Sequence, residues 1–428
     1  MSPQQNNALP NSTSRVLIAS LAGTTIEFFD FYIYATAAVL VFPKLFFSSA
    51  DAATATLQSL ATFALAFFAR PIGAALFGHF GDRIGRKATL VAALMTMGCA
   101  TVIIGLLPTY QSVGIAAPIM LALLRFMQGL GLGGEWGGAV LLATENAPPG
   151  KKAWYGMFPQ LGAPIGFLLS TSLFLLLGSV LSDQQFFSYG WRIPFIASAL
   201  LVWVGLYVRL KLVETPAFLK VLEKNERVSL PLKEVLSKHA VVLLLGTLIS
   251  VTVFLLFYLM TVFTLSWGTN NLKYSHSHFL IAQMISMLFF AGGIIVSAAF
   301  ADRYGRNNIL IIASVTAIIF GLFFSTLFVA GHLFILIGFL SLGMFLMGLS
   351  YGPLGTALAE IFPAAVRYTG ASLAFTLAGI LGASLTPYIA TKLANGYGLS
   401  YVGYYLCTAA LLSLVALLFA RPIMNKQL

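Results

Sequence analysis

The chain has 428 residues, 59% of them hydrophobic and only 9% charged. Soluble domains carry about 25% charged residues, so this composition, with a mean hydropathy of +0.91, excludes an ordinary water-soluble protein. The formal charge of +11 raises the question of a polyanion partner, but its placement along the chain points to membrane topology instead.

In chain order, an uncharged polar leader precedes apolar runs such as Val16–Phe42, Leu57–Phe77, Ala240–Phe263, Ile309–Ala330 and Ala409–Ala420. A spanning helix needs roughly 20 mostly apolar residues. Breaking the runs at polar and Gly/Pro-rich stretches predicts six spans before residue 212 and six after 240. The expected organisation is an N-terminal bundle (1–212), a charged linker (213–239) with an amphipathic surface helix, and a C-terminal bundle (240–428). The first apolar run is full length and carries no cleavage pattern, so no removable signal peptide is expected.

With both termini on the cytoplasmic side, most Lys and Arg fall there. They are Arg15, Arg83, Arg86, Lys87, Lys151, Lys152, the cluster from Arg209 to Lys238, Arg303, Arg306, Arg367, Arg421 and Lys426. Lys44, Arg192, Lys273 and Lys392 face outward, and Arg70 and Arg125 lie within helices. This asymmetry is the positive-inside rule. It accounts for the charge without nucleic acid.

Two motifs recur. Gly78-His-Phe-Gly-Asp82-Arg83-Ile-Gly85-Arg86-Lys87 follows the second span, and Ala298-Ala-Phe-Ala-Asp302-Arg303-Tyr-Gly305-Arg306-Asn307 follows the eighth. Thr144-Glu145-Asn-Ala-Pro148 and Ala359-Glu360-Ile-Phe-Pro363 repeat at nearly the same offset. A six-helix unit duplicated in parallel explains both pairs.

Ionisable residues at bilayer depth are costly and mark function. At 1.5 Å per residue, Glu27 and Asp30 lie roughly 17 and 21 Å into the first helix and share a face. Arg70 on the second helix and Arg125 on the fourth reach a similar depth, and Glu135 lies nearer the cytoplasm. The last six helices hold no comparable charge. Proton coupling is therefore expected of Asp30, with Glu27 as second choice and Glu135 as a further candidate. Substrate contact is expected of Arg70, Arg125, Tyr34, Gln160, Tyr258, Gln283 and Tyr351. Protonation would free Arg70 or Arg125 from its carboxylate to hold a substrate carboxylate.

Further stretches sharpen the reading: Gly23-Thr-Thr-Ile-Glu27-Phe-Phe-Asp30-Phe-Tyr-Ile-Tyr34, Phe68-Ala-Arg70-Pro71, Arg125-Phe-Met-Gln128-Gly129, Gly190-Trp191-Arg192 and Glu214-Thr215-Pro216-Ala-Phe218. Together with the duplicated loop motif they resemble the major facilitator superfamily, and within it the metabolite:proton symporter family. Members of that family carry shikimate, α-ketoglutarate, citrate, or proline and betaine. The resemblance implies an all-α membrane protein of twelve transmembrane helices in two pseudo-symmetric six-helix bundles. It also implies a monomer in the bacterial inner membrane that takes up a small organic acid or zwitterion with protons by alternating access.

The same resemblance implies that Asp82 faces the N-terminal end of the eleventh helix near Thr369. Arg86 or Arg83 would pair with Glu145, and Arg303 or Arg306 with Glu360. With Gly78, Gly85 and Asp302, these residues would form a cytoplasmic latch, weaker in the second copy because Ala298 and Asn307 replace Gly78 and Lys87. A proton-coupled exporter or antiporter is the rival within the fold. No nucleotide-binding motif, metal-ligand set or nucleophile–base pair is visible, so no enzyme, cofactor or metal is expected.

Overall fold

The computed structural model describes residues 13–47, 52–211, 214–223 and 228–425. The expectations for the leader, for Lys224, Glu226 and Arg227 of the linker, and for Lys426 fall outside the described residues. Among the described residues, eleven helices are long and apolar enough to cross a membrane, and a shorter apolar helix, Arg306–Leu322, completes twelve. The apolar run expected to continue to Ala330 breaks after Leu322 into a separate turn, Phe324–Leu327.

The twelve are α1 (Thr13–Leu40), α2 (Ala52–Arg83), α3 (Arg86–Leu106), α4 (Ala116–Glu145), α5 (Lys152–Val180) and α6 (Arg192–Leu210). Then follow α7 (Ala240–Asn270), α8 (His276–Tyr304), α9 (Arg306–Leu322), α10 (Leu333–Ile361), α11 (Ala364–Tyr397) and α12 (Leu399–Asn425). Two short helices, Pro216–Glu223 and Pro231–Lys238, occupy the linker, each opening on the proline that best tolerates a first helical turn.

Packing repeats the duplication. In the first bundle α1 lies against α5, α2 against α4 and α3 against α6; in the second α7 lies against α11, α8 against α10 and α9 against α12. The bundles meet along α2–α11 and α5–α8, an exchange-symmetric pair of contacts. Helices in lipid gain little from hydrophobic burial against each other and rely on close backbone approach. Gly129 on α4 meets this need: a Cβ there would stand 2.7 Å from Ala66 Cα and Ala69 Cβ of α2. The tight turns between α2 and α3 and between α8 and α9 run through Gly85 (φ 132°) and Gly305 (φ 89°), conformations that favour glycine.

α7 and α11 each contain a π turn, Leu259–Phe263 and Ile380–Ser384. Gln283 of α8 donates to the carbonyls of Met260 and Thr261, at 3.3 and 2.6 Å, and so satisfies backbone groups that the first π turn releases from the regular ladder.

Candidate functional site: an aromatic cavity with one guanidinium

A cavity opens where the bundles meet. Its lining includes Phe31, Tyr32 and Arg70 from the first bundle and Tyr258, Tyr351 and Phe375 from the second. Arg70 is the one charged residue on this wall among the described residues. Aromatic rings continue across the bundle boundary, with Tyr32 6.2 Å from Phe257 and Phe67 5.8 Å from Tyr258, centroid to centroid.

Glu27, Asp30, Arg70, Arg125 and Glu135 are all buried, at no more than 5% exposure. Glu27, Asp30, Arg70 and Arg125 do not form the single cluster that their common depth suggests. Arg70 Nη2 lies 3.9 Å from Glu27 Oε1, and neither Glu27 oxygen accepts a hydrogen bond among the described residues. Asp30 turns away: its Oδ1 accepts from the Ser198 hydroxyl of α6 at 2.6 Å. Residues three apart on a helix differ by about 60° in direction, enough at a crossing to send one carboxylate toward α2 and the other toward α6.

Arg125 has no carboxylate partner among the described residues. Its Nη1 donates to Gln128 Oε1 at 3.0 Å, and Gln128 donates in turn to Thr101 at 2.7 Å. The guanidinium carbon sits 4.0 Å from the Tyr34 ring centroid, 4.8 Å from that of Phe63 and 5.0 Å from that of Phe31. Aromatic faces thus surround this cation. The expectation that a carboxylate holds Arg125 is corrected: an amide and three rings do.

Glu135 is bound by a residue that the charge distribution counts only among the basic residues of the cytoplasmic side. Arg209 is 1% exposed, and its guanidinium grips Glu135 through both nitrogens, Nη1 to Oε2 at 2.9 Å, while Nη1 also donates to the Leu90 carbonyl at 2.8 Å. A fully buried carboxylate needs a counter-charge, and that requirement is the signal that would have claimed the nearest intramembrane arginine.

The remaining candidates separate by position. Tyr258 and Tyr351 line the cavity. Tyr34 lies behind it, bonded to Thr62 at 2.8 Å and stacked on Arg125, and Gln283 is committed to the π turn. Gln160 forms part of the floor: it accepts from Trp136 Nε1 and donates to the Tyr351 carbonyl, both at 2.9 Å. Trp136 lies flat on Phe375, centroids 3.5 Å apart and planes within 5°. This layer, two residues from each bundle, closes the cavity toward the end that carries the repeated loops.

At that end Asp82 of α2 accepts from the backbone nitrogens of Tyr368 and Thr369 at 3.2 and 3.0 Å, and from the Thr369 hydroxyl at 2.8 Å. A carboxylate against unpaired N–H groups at a helix start is also favoured by the helix dipole. Arg86 bonds Asp82 at 2.9 Å and lies 3.7 Å from Glu145, which also faces Arg367 at 3.5 Å and accepts from Thr215 at 2.6 Å. Gly78 packs directly on Thr369, whose Cα would stand 2.7 Å from an added Cβ.

The second copy mirrors the first. Asp302 of α8 accepts from the backbone nitrogens of Ala153 and Trp154 at the start of α5, both at 2.8 Å. Arg306 lies 3.5 Å from Asp302 and 3.5 Å from Glu360, and Lys152 reaches Glu360 at 3.4 Å. Of the paired alternatives, Arg86 and Arg306 make the contacts; Arg83 neighbours His79, and Arg303 lies over Tyr304. Sequence reasoning did not assign Asp302 to α5, although applying the repeat to the Asp82–α11 contact leads to it.

Twelve helices in two matching bundles around a central cavity define a polytopic membrane transporter. The Major Facilitator Superfamily model matches residues 20–387. The inner membrane metabolite transport protein YhjE of Escherichia coli (strain K12) is 54% identical over 98% of this chain and 96% of its own length. The shikimate transporter of the same organism is 34% identical (98% and 97% covered), and its proline/betaine transporter 31% identical (97% and 84% covered). A solved structure of the proton:xylose symporter XylE superposes with a TM-score of 0.76 at 17% identity, covering 96% of each chain.

The chain belongs to the major facilitator superfamily, and its relatives are the metabolite, shikimate and proline/betaine transporters that its motifs resemble. It is a multi-pass membrane transporter of small molecules, not an enzyme.

Proposed function

We propose that the protein is a proton-coupled symporter that takes up a small organic acid or zwitterion across the bacterial inner membrane, as a monomer with both termini cytoplasmic. The observation that carries this reading is the Glu27–Arg70 pair, 3.9 Å apart, of which Arg70 lines the cavity and Glu27 does not. Arg70 is the anchor for the substrate carboxylate, and Glu27 is its competitor. A proton arriving on Glu27 removes the competing charge and leaves the guanidinium free for the substrate; loss of the proton inward restores the pair and expels the substrate. Asp30, bonded to a neutral serine, is the second proton candidate. Glu135 is held by Arg209 and serves structure in this scheme.

The bundles 1–212 and 240–428 are the two moving bodies, joined by the linker 213–239. The Asp82 and Asp302 clasps hold the cytoplasmic side shut, and they break as the bundles rock. Support comes from the relatives' names, from the buried mid-helix charges Glu27, Asp30, Arg70 and Arg125 all belonging to the first bundle, and from aromatic surfaces on both.

The test is uptake into proteoliposomes of a panel of carboxylates and betaine, with and without an inward proton gradient. Gradient-driven accumulation of at least one compound is expected, lost in Glu27→Gln while counterflow exchange persists. Accumulation that ignores the gradient, or coupling that survives in Glu27→Gln and vanishes in Asp30→Asn, would move the role away from Glu27.

A further inference from the structure

Two guanidiniums lie at one depth in the first bundle, yet only Arg70 lines the cavity. One side chain touches both. The Phe31 ring centroid lies 5.7 Å from the Arg70 guanidinium carbon and 5.0 Å from that of Arg125. Phe31 itself lines the cavity, and Arg125 does not. The ring is held by its neighbours, with Phe63 at 5.2 Å and Phe67 edge-on at 5.9 Å. Arg125 Nε and Nη2 have no hydrogen-bond partner among the described residues. A cation with spare donors thus stands behind a wall one aromatic ring thick.

We propose that Phe31 is a specificity-determining residue that restricts the substrate to a single carboxylate, by keeping Arg125 out of the cavity that Arg70 serves. This deepens the functional reading and rests on Arg70 as substrate anchor. A monocarboxylate satisfies its charge on Arg70 and lays the rest of its body against Tyr32, Tyr258, Tyr351 and Phe375. A dicarboxylate brings a second anion into an aromatic chamber with no second cation among the described residues, and an unpaired charge out of water is strongly penalised. Removing the ring joins the two guanidiniums into one site with donors for both carboxylates. The other charged and titratable groups near this wall do not supply that second cation: Glu27 is a carboxyl group and carries no positive charge in either protonation state, Tyr34 and Tyr258 are phenols, and Arg209 is occupied by Glu135.

The test uses matched probes, benzoate against terephthalate and cyclohexanecarboxylate against cyclohexane-1,4-dicarboxylate. Binding to the full purified chain is read by calorimetry. The wild type is expected to prefer each monocarboxylate by about tenfold or more, the worth of a charge-assisted pair left unmade. Phe31→Ser is expected to narrow or reverse that preference, and Phe31→Ser with Arg125→Gln to lose the gain in dicarboxylate binding. Phe31→Leu keeps a bulky apolar wall and should keep the monocarboxylate preference.

Equal or tighter dicarboxylate binding by the wild type overturns the proposal, whether or not the serine variant folds. So does a dicarboxylate gain that survives the loss of Arg125. Binding of no carboxylate probe overturns it together with the anchoring role of Arg70. Monocarboxylate binding without proton-driven uptake leaves the single-carboxylate rule standing and removes the coupling scheme instead.

Discussion

Arg209 and Glu135 show how far a single buried pair constrains this bundle. Both side chains are essentially inaccessible, and the arginine also satisfies the Leu90 carbonyl on α3. Removing one member of such a pair strands a charge in a low-dielectric interior, at a cost of about 3–5 kcal/mol. Arg209→Met should therefore sharply lower the thermal unfolding midpoint in detergent. Glu135→Gln added to it should recover much of the loss, because two neutral groups replace one orphaned ion. If the double variant is no better than the single one, the pair is not what holds α4 to α6. For Glu27 the expectation is different: it makes no hydrogen bond among the described residues and its partner Arg70 lines the cavity, so Glu27→Gln should cost less stability than Arg209→Met and show its main effect in coupling.

At the scale of elements, the contacts that matter lie between helices rather than within them. The α2–α4 seam depends on Gly129, where added bulk meets Ala66 and Ala69. Gly129→Leu should part these helices and reduce the yield of monodisperse protein, while Gly129→Ala should cost less. The clasps are helix-start contacts: Asp82 on α11 and Asp302 on α5 each take two backbone N–H groups. Asp82→Ala and Asp302→Ala should each slow net uptake severalfold, with substrate affinity in detergent nearly unchanged. Loss of affinity in either variant would make the aspartate part of the binding site instead.

For the whole molecule, the floor of the cavity reports the state of the clasps. Trp136 and Phe375 come from different bundles and lie 3.5 Å apart, so the end that carries the repeated loops cannot open without separating them. In a chain whose other four tryptophans are phenylalanine, the double substitution Asp82→Ala with Asp302→Ala should red-shift the Trp136 emission and raise its quenching by iodide. An unchanged spectrum would place the hinge elsewhere.

Much of this molecule is legible one residue at a time. Apolar run length dictates the number of spans, since lipid tolerates no unsatisfied backbone. The distribution of Lys and Arg implies orientation, and the repeated Asp-Arg-x-Gly-Arg motif reveals the duplication. Depth along a helix also follows from counting, and Glu27, Asp30, Arg70, Arg125 and Glu135 are all buried. Azimuth and partner do not follow from counting. They depend on where helices cross, and a rotation of about 60° sends Asp30 to Ser198 and Glu27 to Arg70. The partner of Arg209 is not legible because a residue at the end of an apolar span reads the same whether it faces water or a buried carboxylate. The wall that Phe31 makes between two arginines exists only once three helices are packed, because van der Waals contact between distant segments is a property of the assembled fold and not of any one of them.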